Sequence, residues 1–159
     1  MKKEKNLSQG VTALELLMVV AIMAILAAIV ISPFAQFRNS KVLDTAGENA
    51  LSILARARGN TLSSKNSYQY GVHFESAQMV LFRGAIYNSL DANNEAVALD
   101  GALEVYPTPP SLTGGGSDVI FDRLTGKTSQ DGTIIIRIKS DTSKTRTITV
   151  NATGVVSAN

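Results

Sequence analysis

Residues 10–31 read GVTALELLMVVAIMAILAAIVI. From Val11 to Ile31, 19 of 21 side chains are apolar, and the two exceptions are Thr12 and Glu15. Such a run, apolar on every side, is not the stripe of a helix that packs on a soluble core. As a helix it rises about 31 Å at ~1.5 Å per residue, close to the ~30 Å of a bilayer's hydrocarbon layer. It also exceeds the ~7–15 apolar residues of a cleaved secretory signal. A secretory cut at Val30-Ile31-Ser32 would leave Pro33 directly after it, a poor fit. The sequence therefore predicts a membrane-crossing helix over 11–31.

The flanks orient this helix. Lys2, Lys3 and Lys5, opposed only by Glu4, precede it, whereas Arg38 and Lys41 follow at a distance. That asymmetry predicts a cytoplasmic N-terminus, with Ser32 onward on the far side of the membrane. The whole chain of 159 residues has a formal charge of +2, and residues 1–10 carry all of it. The remaining side chains hold 12 basic and 12 acidic groups. The high pI is thus a topology signal rather than a nucleic-acid signal. Absence of Cys excludes disulfides, thiol catalysis and Cys-ligated metals.

Glu15 is the informative residue. A carboxylate near the centre of a bilayer costs about 2.5 kcal/mol or more, so such groups have partners and roles. The uncut chain offers none nearby. Cleavage after Gly10 would create an ammonium group on Val11, four residues before Glu15. In a filament of parallel helices the amine of one copy could pair with the carboxylate of the next, which offsets the desolvation of both and fixes axial register.

The short basic leader, Gly10, the apolar Val11 and Glu15 five positions into the cut chain resemble the prepilin motif of type IV pilins and type II secretion pseudopilins. Val11 stands where that family usually has Phe, and Ala13 where it usually has Leu. The resemblance implies cleavage between Gly10 and Val11 by a prepilin peptidase, N-methylation of Val11, and a filament-assembly role for Glu15. It also implies an α+β, pilin-like fold: a long N-terminal helix, its first half transmembrane, packed on an antiparallel β-sheet head.

Beyond the apolar run, Pro33 predicts a helix kink, since it removes a backbone donor. Helical spacing resumes at Val42 or Leu43, Ala46, Ala50, Leu54 and Ala57. Gly59-Asn60 and Ser63-Ser64 supply stop signals, so one helix is expected from about Val11 to about Leu62. The expected organisation is a leader (1–10), a membrane and filament-core helix (11–31), an amphipathic continuation (32–62) and a β-rich head (63–159). In the head, strands are expected over Tyr68–Phe74, Gln78–Arg83, Ala96–Leu99, Leu103–Tyr106, Val119–Asp122, Thr133–Lys139 and Thr145–Asn151, with a closing element at Gly154–Ser157. The run Ile120-Phe121-Asp122, Gly126, the last hairpin and Gly154-Val155-Val156 resemble the C-terminal region of GspH/FimT-type minor pilins, with Val155 where that group has Arg.

Little here supports chemistry. His73 is the only histidine, on a strand with an expected surface-facing side chain, so multi-histidine metal sites are excluded. Gly126-Lys127-Thr128 has Phe121 where a phosphate-binding loop needs its first glycine, and no helix follows. Asp91–Glu95 begins like a calcium loop, but Ala96 and Ala102 stand where glycine and glutamate are needed. Arg56, Arg58 and Lys65 could form a basic patch, yet no aromatic–basic stripe marks nucleic acid as a partner. The sequence thus points to a non-enzymatic subunit without catalytic residues, metal or cofactor. Its expected partners are the prepilin peptidase, other pilin or pseudopilin subunits and an inner-membrane assembly platform. Its expected location is the cytoplasmic membrane, then a filament. The rival reading is a single-pass membrane-anchored binding module that never assembles.

Overall fold

The structure, a computed structural model, describes residues 11–159, except the side chains of residues 30–36. The chain forms two compact units, one ending at Arg38 and the other running from Asn39 to Asn159. The kink expected at Pro33 and the leader with Gly10 lie outside the described residues.

Helix α1 spans Ala13–Leu62. In the second unit its inward stripe is Leu43, Ala46, Ala50, Ile53, Leu54 and Ala57, all buried. Ile53, absent from the expected stripe, completes it, because a helix face a third of a turn wide admits positions i, i+3, i+4 and i+7. Thr61 ends this face. Its buried hydroxyl donates to the Ala57 carbonyl (2.9 Å) and accepts the Tyr70 N–H (2.8 Å), tying the helix end to the first strand. The chain then turns through a short 3₁₀ segment, Lys65–Ser67, with Ser64, Asn66 and Ser67 at positive φ. Tyr68 and Gln69, which alternation places in a strand, lie between this turn and the first strand: Tyr68 is already extended, and the Gln69 carbonyl accepts the Gly84 N–H at 2.8 Å.

The head contains nine strands: β1 Tyr70–Phe74, β2 Gln78–Arg83, β3 Glu95–Ala98, β4 Leu103–Val105, β5 Ser111–Leu112, β6 Asp118–Ile120, β7 Gly132–Ile138, β8 Asp141–Val150 and β9 Val156–Ala158. They form two antiparallel sheets where the sequence suggested one. The first runs β3-β2-β1-β6; the second runs β4-β7-β8-β9, with β5 also on β7. The β7–β8 hairpin is tighter than expected. Ile138 pairs with Asp141, and a register shift between Arg137 and Ile138 absorbs the mismatch, so residues read as a loop are strand.

Inner faces of both sheets meet the helix stripe in one core, with Phe74, Phe121, Leu103 and Ile134 among its largest members. The first sheet is covered on its other face as well. Val80 and Phe82 are buried there, and Phe82 lies across from Gly71. A Cβ on Gly71 would come within 2.7 Å of the Phe82 ring and 2.8 Å of the Val119 carbonyl oxygen, so this strand position requires glycine.

Candidate functional site

At the N-terminal end of α1, Thr12 caps the helix. Its hydroxyl accepts the Glu15 N–H at 3.2 Å, and its carbonyl accepts the Leu16 N–H at 3.1 Å. Thr12-Ala13-Leu14-Glu15 thus has the spacing of a capping box, with a carboxylate in the first helical turn where the helix dipole favours it. The sequence reading treated Glu15 only as an assembly residue and missed this local fit.

Every described side chain from Val11 to Ile29 is exposed. Val11 is 70% exposed, Leu14 73% and Leu17 68%. Each large apolar side chain left in water forgoes about 1.5–3 kcal/mol of burial. Among the described residues of this unit, none covers them. Among the described residues no helix is long and apolar enough to cross a membrane. The apolar run of the sequence continues through Val30 and Ile31, whose side chains lie outside that set.

In the head, the sequence-flagged residues fall into separate places. His73 is half-buried rather than surface-facing. Its Nδ1 lies 2.5 Å from Asp118 Oδ1, its Nε2 lies 3.8 Å from Glu75 Oε1, and the Tyr87 ring stacks on it at 3.9 Å. Tyr87 comes from the long β2–β3 loop, which explains why strand alternation alone left His73 in water. Burial, followed by the charge of Glu75, raises the Tyr87 pKa. Among the described residues no group of three or more His, Asp or Glu side chains is placed to hold a metal.

The 91–95 segment is a turn, closed by the Asn94 N–H on the Asp91 carbonyl at 3.1 Å, that leads into β3 at Glu95. Asp91 Oδ1 accepts the side-chain amide of Asn93 at 2.7 Å and its backbone N–H at 2.9 Å. Asp91 Oδ2 lies 3.3 Å from Arg83 Nε, and Glu95 pairs with Arg56. The Asn93 amide above all holds the Asp91 pKa below its ordinary value. Gly126-Lys127-Thr128 is a turn too, with Gly126 at φ 63° and Thr128 bonded to Gln130. The three basic residues do not form a patch. Arg56 reaches β3, whereas the Arg58 Nε donates to the Gly126 carbonyl at 3.0 Å.

No protein-family model matches the chain, and no curated protein matches it. A solved structure does: the type IV minor pilin FimU of Pseudomonas aeruginosa strain PAO1. It matches with a TM-score of 0.55 over 74% of this chain and 92% of that one. Sequence identity is 14%, so the likeness is one of fold. The fold is pilin-like: a helix packed on antiparallel sheets.

Proposed function

We propose that this chain is a minor pilin or pseudopilin, a subunit of a type IV pilus or of a type II secretion filament. The observation that carries the reading is the uncovered apolar stretch of α1, residues 13–29, in a chain whose fold resembles a minor pilin. A prepilin peptidase cuts between Gly10 and Val11, and the new amine of Val11 is methylated. The helix holds the subunit in the cytoplasmic membrane with its head outside. It then passes into the filament core, where apolar helices of neighbouring subunits cover one another. Glu15 pairs there with the N-terminal ammonium of an adjacent subunit and sets the axial register. An inner-membrane platform and a separate motor supply the work. GspH/FimT-type minor subunits are the group this reading favours, on the residues Phe121-Asp122, Gly126 and Gly154.

Mass spectrometry of the protein extracted from membranes tests this directly. The expected N-terminus is Val11, heavier by one methyl group. An N-terminus at Met1 in cells that contain the peptidase would replace the filament subunit with a membrane-anchored binding module.

A further inference from the structure

Positions 56 and 58 lie about 200° apart around a helix, so their side chains leave α1 on opposite flanks. On the Arg56 flank stand β3 and the β2–β3 loop, through Glu95. On the Arg58 flank, α1 and the C-terminal segment enclose a groove of about 400 Å³, lined by Leu51, Ala55, Arg58, Gly59, Leu62 and Val155. Leu62 and Val155 are 41% and 52% exposed.

Two details mark this groove as unfilled by its own chain. The first is Gly59. A Cβ there would meet nothing within 4 Å, whereas one on Gly47 would lie 2.8 Å from Cγ of Arg146. Packing within the head therefore accounts for one helical glycine and not for the other, although both weaken the helix. The second is Arg58. Gly126 holds its Nε, and its terminal nitrogens have no hydrogen-bond partner among the described residues. Gly154, at φ 78°, completes the clasp, since a Cβ there would meet the Gly126 carbonyl oxygen at 1.8 Å and Arg58 Nε at 2.9 Å. The guanidinium is thus fixed at the edge of an apolar groove.

The other flank carries the converse. Leu90, in the β2–β3 loop, is 90% exposed, and Ile86 is 81% exposed. Leu90 is held out rather than loose. Its N–H donates to Asn88 Oδ1 at 3.0 Å, the Asp91 N–H to the Asn88 carbonyl at 3.1 Å, and the Asn94 side-chain amide to the same carbonyl at 2.8 Å. A fixed turn that displays leucine beside a carboxylate is pre-organised to bind at low entropic cost. The carboxylate of Asp91 keeps acceptor capacity beyond its bonds to Asn93 and Arg83.

We infer that Leu90 and Asp91 of one copy dock in the Arg58 groove of a second copy. Leu90 enters between Leu51, Ala55 and Leu62, and the Asp91 carboxylate lies against the free edge of the Arg58 guanidinium. Knob and groove sit on opposite flanks of one helix, so the contact is heterologous, and its repetition builds an open row of heads rather than a closed pair. The inference rests on the filament reading and adds the surface through which adjacent heads meet.

The absence of cysteine makes introduced thiols clean reporters. Full-length Ala55→Cys and Leu90→Cys variants, one of them tagged, are co-expressed in cells that assemble filaments and treated with a short thiol cross-linker. The expected product is a mixed dimer, absent when either variant is expressed alone, and a ladder when both thiols share one chain. Gly59→Leu, which fills the groove, should lower the mixed dimer at least about tenfold. Dimers of Ala55→Cys with itself would overturn the docking. So would filaments that contain both variants, each starting at Val11, without a 55–90 cross-link; the filament reading would then stand alone. A 55–90 cross-link in a protein still starting at Met1 would keep the docking and remove the filament reading.

Discussion

Two stretches of one helix treat apolar residues in opposite ways. Between Leu43 and Ala57 the inward stripe is apolar, and the head's own sheets bury it. Between Ala13 and Ile29 nearly every residue is apolar, and none is buried. The difference teaches where each stretch finds its partners. A stripe matches a single surface, which the same chain can supply. A helix apolar on all sides needs cover all round, which a single packed face does not give.

The largest expected effect breaks this comparison if it fails. Leu54 is fully buried, and Leu54→Ala should destabilise the head by about 2–5 kcal/mol through lost burial and a residual cavity. Glu15→Ala should leave head stability unchanged within about 0.5 kcal/mol, as for a surface position, while reducing incorporation into filaments. Denaturant unfolding of the full chain in detergent, followed by far-UV dichroism of the strands, separates the two. Normal filament assembly by Glu15→Ala would remove the central role given to that carboxylate. Loss of head stability in the same variant would show that the first stretch is not independent of the head's folding.

A smaller effect tests how the Arg58 flank is built. Gly154→Ala sets a Cβ against the Gly126 carbonyl oxygen, which is backbone and cannot swing aside, at a φ that L-residues rarely adopt. Destabilisation of about 1–3 kcal/mol is expected, as for overpacking and strain at a special φ. Unchanged stability would mean that the C-terminal segment and the 122–128 turn are less tightly joined than their geometry requires.

How much of this was legible in the sequence follows from which signals are local. The apolar run, the helix stripe and the β1–β2 and β7–β8 hairpins have short periods, and their positions were read to within a few residues. The split into two sheets was not legible, because β1 pairs with β6 across more than forty residues and no periodicity records such a partner. Two-residue β5 is too short to show a pattern. The burial of His73 depends on Tyr87, which a loop returns to it. The Arg58–Gly126–Gly154 clasp joins three distant positions, and only the glycines could have hinted at it. Of the N-terminal candidates, Glu15 was found as the lone charge of an apolar run, but its hydrogen-bonded setting beside Thr12 was not.

The smallest effect sharpens the boundary between covered and uncovered helix faces. Within a helix, alanine is favoured over glycine by about 1 kcal/mol. At Gly59 the added methyl meets open space, so Gly59→Ala should stabilise the head by roughly 0.5–1 kcal/mol. At Gly47 the same methyl lies 2.8 Å from Cγ of Arg146, whose stem crosses the helix there and whose Nε is buried without a hydrogen-bond partner among the described residues. Moving that stem disturbs the Arg146–Asp44 pair (3.9 Å), so the propensity gain should be cancelled or reversed. Denaturant midpoints of the two variants, measured side by side, decide it. A gain at 59 with none at 47 places the uncovered face where the groove lies; equal gains would mean that Arg146 yields freely and that Gly47 is no more constrained than Gly59.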